Sequence, residues 1–168
     1  MNAGVIASSQ PFAEGGCACG EIRYRLHARP IVVHCCHCHR CQRETGSAFA
    51  LNALLEAANF ELVQGIAEKL TRPTESGLGQ DVHFCPSCRT AVWSVYSGAG
   101  PGAVFIRAGT LDNPYLCPPG VHIYTESKQE WVILPDGVPA FEGYYGGKDL
   151  PGLYGEDGAA RWRAVRGR

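Results

Sequence analysis

Apolar and polar positions along the chain sort into short runs with alternating or β-branched character: EIRYRL from Glu21, PIVVHC from Pro30, FELV from Phe60, AVWSVY from Ala91, AVFIRAG from Ala103 and VHIYTE from Val121. Alternation places successive side chains on opposite faces, so each run predicts a strand. Glycine and proline, with 21 and 11 copies, punctuate the runs, and no segment keeps the 3.6-residue period of a long helix. A mainly β architecture with few short helices follows. QRETGSA after Cys41 is the best helical candidate, with Gly46 ending it, and FALNALLEAAN reads as strand, then loop. The Gly-rich tail from Gly146 ends with Arg161, Arg163, Arg166 and Arg168 around Trp162 and reads as a loosely held terminus.

Composition changes the picture in three ways. A length of 168 residues suits one domain with its own core. The balance of 15 Lys and Arg against 16 Asp and Glu leaves a charge of −1, without the field that recruits nucleic acid or an anionic membrane. The opening MNAGVIASSQ lacks the cationic and apolar regions of a signal peptide, and no apolar run approaches a membrane span. The expectation is a cytoplasmic protein whose partners are small molecules.

In a reducing compartment nine cysteines point to metal rather than disulfides. They cluster as Cys17 and Cys19, as Cys36, Cys38 and Cys41, and as Cys85 and Cys88 in CPSC, spacings that suit chelation better than bridging. Zinc prefers thiolate and imidazole in tetrahedral geometry. Three thiolates from Cys36, Cys38 and Cys41 fall one short of a closed site, as in catalytic zinc centres. Zinc so held carries a net charge near −1, which disfavours a hydrolytic water and favours an incoming thiol, deprotonated on binding.

Cys35, in an extended run, faces away from Cys36 and reads as a buried structural thiol rather than a fourth ligand. Cys117 reads as a packed thiol. His37 and His39, between ligands, read as surface histidines or helpers rather than ligands, and His122 reads as structural, with a reach to the site as the alternative. Trp131 and Phe141 are expected to anchor the core, and Pro135-Asp136-Gly137 signals a turn.

The segments GGCACGEIRY, CHCHRCQRETGSAF, HFCPSCRTAVW and VHIYTESKQEWVILPDGVPAFEGY together resemble the glutathione-dependent formaldehyde-activating enzyme family, which also has a centromere-associated branch. The resemblance runs from about Gly15 to Tyr145 and implies a zinc-binding domain over 14–146, between an extension (1–13) and the tail (147–168). It implies a β-tent of layered antiparallel sheets stapled by zinc, with a structural ion on Cys17, Cys19, Cys85 and Cys88 and a catalytic one on Cys36, Cys38 and Cys41, two zinc ions per chain. The implied activity is a carbon-sulfur lyase reaction in reverse, joining glutathione as co-substrate to formaldehyde. Arg89 stands where the family usually has glycine. A non-catalytic binding module on a zinc scaffold, and the same site acting on another electrophile, are the rival readings.

Overall fold

A computed structural model describes residues 10–167. Most of the expected extension, 1–13, and Arg168 of the tail lie outside them. Among these residues ten strands form two sheets. β1 (Ala13–Gly16), β2 (Arg23–Leu26) and β5 (Phe60–Gln64) make a small antiparallel sheet. The large sheet joins β3 (Val32–Cys36), β4 (Ala50–Glu56), β6 (Glu68–Arg72), β7 (Gln80–Phe84), β8 (Ala91–Tyr96), β9 (Ala103–Arg107) and β10 (Val121–Ile123) in the order β10-β3-β4-β9-β8-β7-β6. The expectation of antiparallel sheets holds except at one edge: β10 runs parallel to β3, pairing His122 with Cys35. A parallel neighbour requires a crossover, and here nearly the whole large sheet intervenes between the two strands.

β3 is buried along its length because both its faces are covered. On one side Val33 joins Ile22, Tyr24 and Leu26 of the small sheet and Leu55, Trp93 and Ile106 of the large sheet in a core cluster. On the other, Val32 packs with Leu54, Val121, Ile123, Tyr154 and Ala159. Gly15 lies against this first cluster for a steric reason: a Cβ there would meet the Tyr24 hydroxyl at 2.4 Å.

Three strands are invisible to an alternation reading. β1 (AEGG) has little β-forming character although three of its four residues are buried, and β6 is almost entirely exposed. β7 (QDVHF) buries only Val82.

The tail departs from expectation. It forms α2 (Leu150–Arg166), with Pro151 in its first turn and a break at Gly155. Tyr154 and Ala159 are buried, Trp162 and Val165 pack beside them, and Arg161 forks onto Glu56 with two contacts of 2.6 Å. Gly/Arg composition concealed this because its apolar residues are few and irregularly spaced. Trp131 is also corrected: it is 73% exposed, whereas Phe141 does pack against the core. The turn at Asp136–Gly137 forms as expected, with Gly137 at φ 80°. Among the described residues no helix is long and apolar enough to cross a membrane.

Candidate active site and metal centres

Among the described residues, three groups of Cys and His place their ligand atoms within 4.8 Å of one another. All nine cysteines are free thiols.

The first group joins two tight turns from distant parts of the chain. Cys17 and Cys19 follow β1, and Cys85 and Cys88 bracket the turn between β7 and β8. Cys17 Sγ lies 3.5 Å from Cys19 Sγ, which lies 3.7 Å from Cys85 Sγ. A tetrahedral ion with metal–sulfur bonds of ~2.3 Å has sulfur–sulfur edges of about 3.8 Å, so this donor set fits one. Hydrogen bonds support it from outside. Ile22 N donates to Cys17 Sγ at 3.2 Å, and Thr90 Oγ1 lies 3.2 Å from Cys88 Sγ while accepting from Ala18 N. Thr90 pulls the Cys88 thiol down to about 5. Arg89, in the glycine position noted above, adopts φ 61°, the left-handed region that favours glycine. Its guanidinium bonds Glu68 at 2.5 Å and sits over Phe84.

The second group is Cys36, Cys38 and Cys41. Cys36 ends β3, and Cys38 caps α1 (His39–Thr45), whose seven residues carry Cys41 one turn on. Gly46 closes α1 in the left-handed conformation. Cys38 Sγ accepts from Cys41 N at 3.4 Å. Hydrogen bonds from Cys36 and Cys41 draw the Cys38 thiol down to about 2; the contact with Cys38, with burial, pushes Cys36 up to about 12, and contacts with Cys36 and Cys38 push Cys41 higher still. One thiolate therefore forms readily, while full deprotonation requires a cation among the three sulfurs.

Cys35, His37 and His122 form the third group, behind this site. Cys35 does face away from Cys36, as the strand reading predicts. His37 is not at the surface: it is 0% exposed, with Nε2 3.0 Å from His122 Nδ1 and 3.5 Å from Cys35 Sγ. Burial lowers both histidines and pushes Cys35 up to about 12, so all three are neutral. The His37 carbonyl accepts from Gln42 Nε2 at 2.7 Å and Ser127 Oγ at 3.2 Å, which holds the loop between Cys36 and Cys38. His39 is exposed, and Cys117 is buried in the core.

Space adjoins the second group on two sides. A cavity of about 370 Å³ is lined by Cys36, Cys38 and Cys41 together with His34, Tyr96, Phe105 and Tyr144. An outer groove of about 890 Å³ is lined by Cys38, Glu126, Lys128, Gln129, Glu130 and Trp131. Tyr124 borders both. It is held at φ 56°, ψ 42°, a conformation rare for a residue with a side chain. Burial, reinforced by Cys36 and Cys38, pushes its phenol up to about 12, leaving it protonated at neutral pH. Sequence reasoning passed over Tyr124 because backbone strain has no signature in residue spacing.

Beneath the cavity, Arg107 bonds both Asn52 and Glu44, and the Arg107 and Glu44 side chains are only 10% and 11% exposed. His34 Nε2 and Tyr145 Oη share a 2.6 Å hydrogen bond, and Tyr145 Oη shares another of 2.6 Å with Tyr154 Oη. The docked helix α2 is thus wired to the cavity wall.

These features define a protein with a four-cysteine knuckle whose sulfurs could hold a metal ion and a separate three-cysteine cluster open to space. The sequence profile of the glutathione-dependent formaldehyde-activating enzymes matches residues 12–127, and the chain belongs to that family. It is 30% identical over 132 residues to a Halomonas elongata protein provisionally named a glutathione-dependent formaldehyde-activating enzyme, covering 72% of this chain and 80% of that one. A Rhodobacter sphaeroides protein of known crystal structure superposes with a TM-score of 0.45 at 17% identity, over 61% of this chain and 92% of its own.

Proposed function

We infer that the chain catalyses addition of a thiol to an aldehyde, with glutathione and formaldehyde as the pair that family membership supports, and the reverse carbon-sulfur cleavage. The observation that carries this reading is the three-sulfur cluster with a cavity on one side and a charged groove on the other. Cys36, Cys38 and Cys41 would hold a zinc ion, and Cys17, Cys19, Cys85 and Cys88 a second, structural one. When bound to three thiolates, zinc keeps one tetrahedral position for a soft ligand and acidifies a thiol that takes it.

In the forward reaction the sulfur lone pair forms the C–S bond, the carbonyl π pair moves to oxygen, and that oxygen takes a proton. Tyr124 Oη, protonated and bordering both spaces, is the proposed donor to the developing oxyanion. The mixed charge of the groove suits a zwitterionic thiol, with Lys128 toward carboxylate and Glu126 or Glu130 toward ammonium. His34 and His37, kept neutral by burial, add no cation to compete with the cluster. The proposed working unit is 14–146 with α2 docked on it, in a reducing compartment such as the cytoplasm, where the nine thiols stay free.

The test is to mix the zinc-loaded protein with glutathione and formaldehyde and follow adduct formation by NMR. Acceleration over the uncatalysed rate is expected, and a rate equal to background would overturn the formaldehyde assignment.

A further inference from the structure

Formaldehyde has two heavy atoms and, at the ~30 Å³ that a water occupies in the liquid, needs only about 60 Å³. The cavity at the three-cysteine cluster offers about 370 Å³. For comparison, an apolar cavity of roughly 150 Å³ holds benzene. Formaldehyde alone would leave most of this space to water, beside walls that include the rings of His34, Tyr96, Phe105, Tyr124 and Tyr144.

Those walls come from separate elements. Phe105 of β9 lies 6.5 Å from Tyr96 of β8 in an edge-on arrangement, and on the other side Tyr144 lies 6.5 Å from Tyr124. His34 joins the two sides, its ring 6.1 Å from Phe105 and 5.9 Å from Tyr144. Ring faces and edges that line a cavity accept a further ring by offset or edge contact.

The charges at the cavity exclude an anionic occupant. Arg40 is paired with Glu75 at 3.0 Å, and the buried Arg107 is committed to Glu44 and Asn52. The two carboxylates of glutathione therefore find no free cation here and belong in the outer groove.

We propose that this cavity binds an aromatic substituent on the carbon-side substrate, so that the preferred electrophile is an aldehyde carrying an aromatic ring, such as an arylacetaldehyde. This rests on the thiol-addition reading for the reaction but not for the binding. The ring sits between Phe105, Tyr96 and Tyr144, and the carbonyl carbon faces the sulfurs. Addition of RSH to ArCH₂CHO gives ArCH₂CH(OH)SR: a C–S bond forms, the carbonyl oxygen gains the proton, and no oxidant or reductant is involved.

The experiment uses the zinc-loaded full chain with two probes. 2-Phenylethanol, which cannot react, is titrated by calorimetry, and phenylacetaldehyde is compared with formaldehyde as glutathione acceptor, each rate divided by its uncatalysed rate. The expected results are saturable binding of 2-phenylethanol and a rate enhancement for phenylacetaldehyde about tenfold or more above that for formaldehyde, in keeping with the burial of one ring. That advantage should shrink about tenfold in Phe105→Leu and in Tyr144→Ala, the latter on a loop where folding is less at stake. Turnover of formaldehyde with no binding of 2-phenylethanol and no preference for phenylacetaldehyde would overturn the proposal and leave the thiol-addition reading intact. Binding of 2-phenylethanol without turnover of either aldehyde would support the cavity assignment and overturn the reaction.

Discussion

Cys38 and Tyr124 each border both the inner cavity and the outer groove, so the most acidic thiol of the open cluster and a protonated phenol meet where the two spaces join. Tyr124→Phe keeps the ring and removes the donor. Loss of one oxyanion donor from a preorganised site costs about 10²-fold in kcat. The expected outcome is a fall in kcat of that order with metal content and melting temperature unchanged, checked by steady-state kinetics and metal analysis of the same sample.

The two cysteine clusters should respond differently to the same substitution. Cys85 is fully buried where the small and large sheets meet, and its partners come from segments far apart in sequence. The structural ion proposed there would contribute on the order of 10 kcal/mol to folding. Cys85→Ser is expected to lose cooperative unfolding in circular dichroism. Cys38→Ser, at the edge of a cavity, is expected to keep the fold and lose one metal equivalent and activity. If Cys38→Ser unfolds as completely as Cys85→Ser, the open cluster is scaffold.

Arg89 adopts a left-handed conformation that costs a residue with a side chain about 1 kcal/mol. Its ion pair with Glu68 is well exposed and returns little. Arg89→Gly is therefore expected to raise stability by about 0.5–1 kcal/mol, read as a higher melting temperature.

The pairing of Arg161 with Glu56 carries a pH signature. Burial alone would raise the Glu56 carboxyl, but Arg161 outweighs it and holds the group below its ordinary value of 4.5. A lowered folded value means that the contribution to stability is fully present above the ordinary value and is lost as pH falls through the folded one. Glu56→Gln is expected to lower stability by about 2 kcal/mol at pH 7, since it leaves a mostly buried guanidinium without its charge partner. The gap to wild type should narrow below pH 4.5, as denaturant melts at several pH values would show.

Much of this was legible in sequence. CxC, CxCxxC and CxxC announce sulfur clusters because they bring thiols together within one turn of chain, and the runs that became Val32–Cys36 and Ala91–Tyr96 declare strands through their apolar side chains. What escaped depends on contacts between distant segments. Residue spacing does not show that Tyr154 of the tail reaches Tyr145, that His37 is sealed against His122, or that Tyr124 is turned into a left-handed conformation over Cys38. Trp131 misled for the opposite reason, since size alone suggests a core anchor while its place on the groove leaves it exposed.

The central claim is that the cluster of Cys36, Cys38 and Cys41 leaves one position for a substrate thiol. X-ray absorption at the zinc edge measures it directly, because one four-sulfur and one three-sulfur site average about 3.5 sulfur ligands per metal. Addition of glutathione is predicted to raise that average to about 4. A value of 4 before glutathione is added, or one that stays at 3.5 with glutathione at saturation, would contradict the claim.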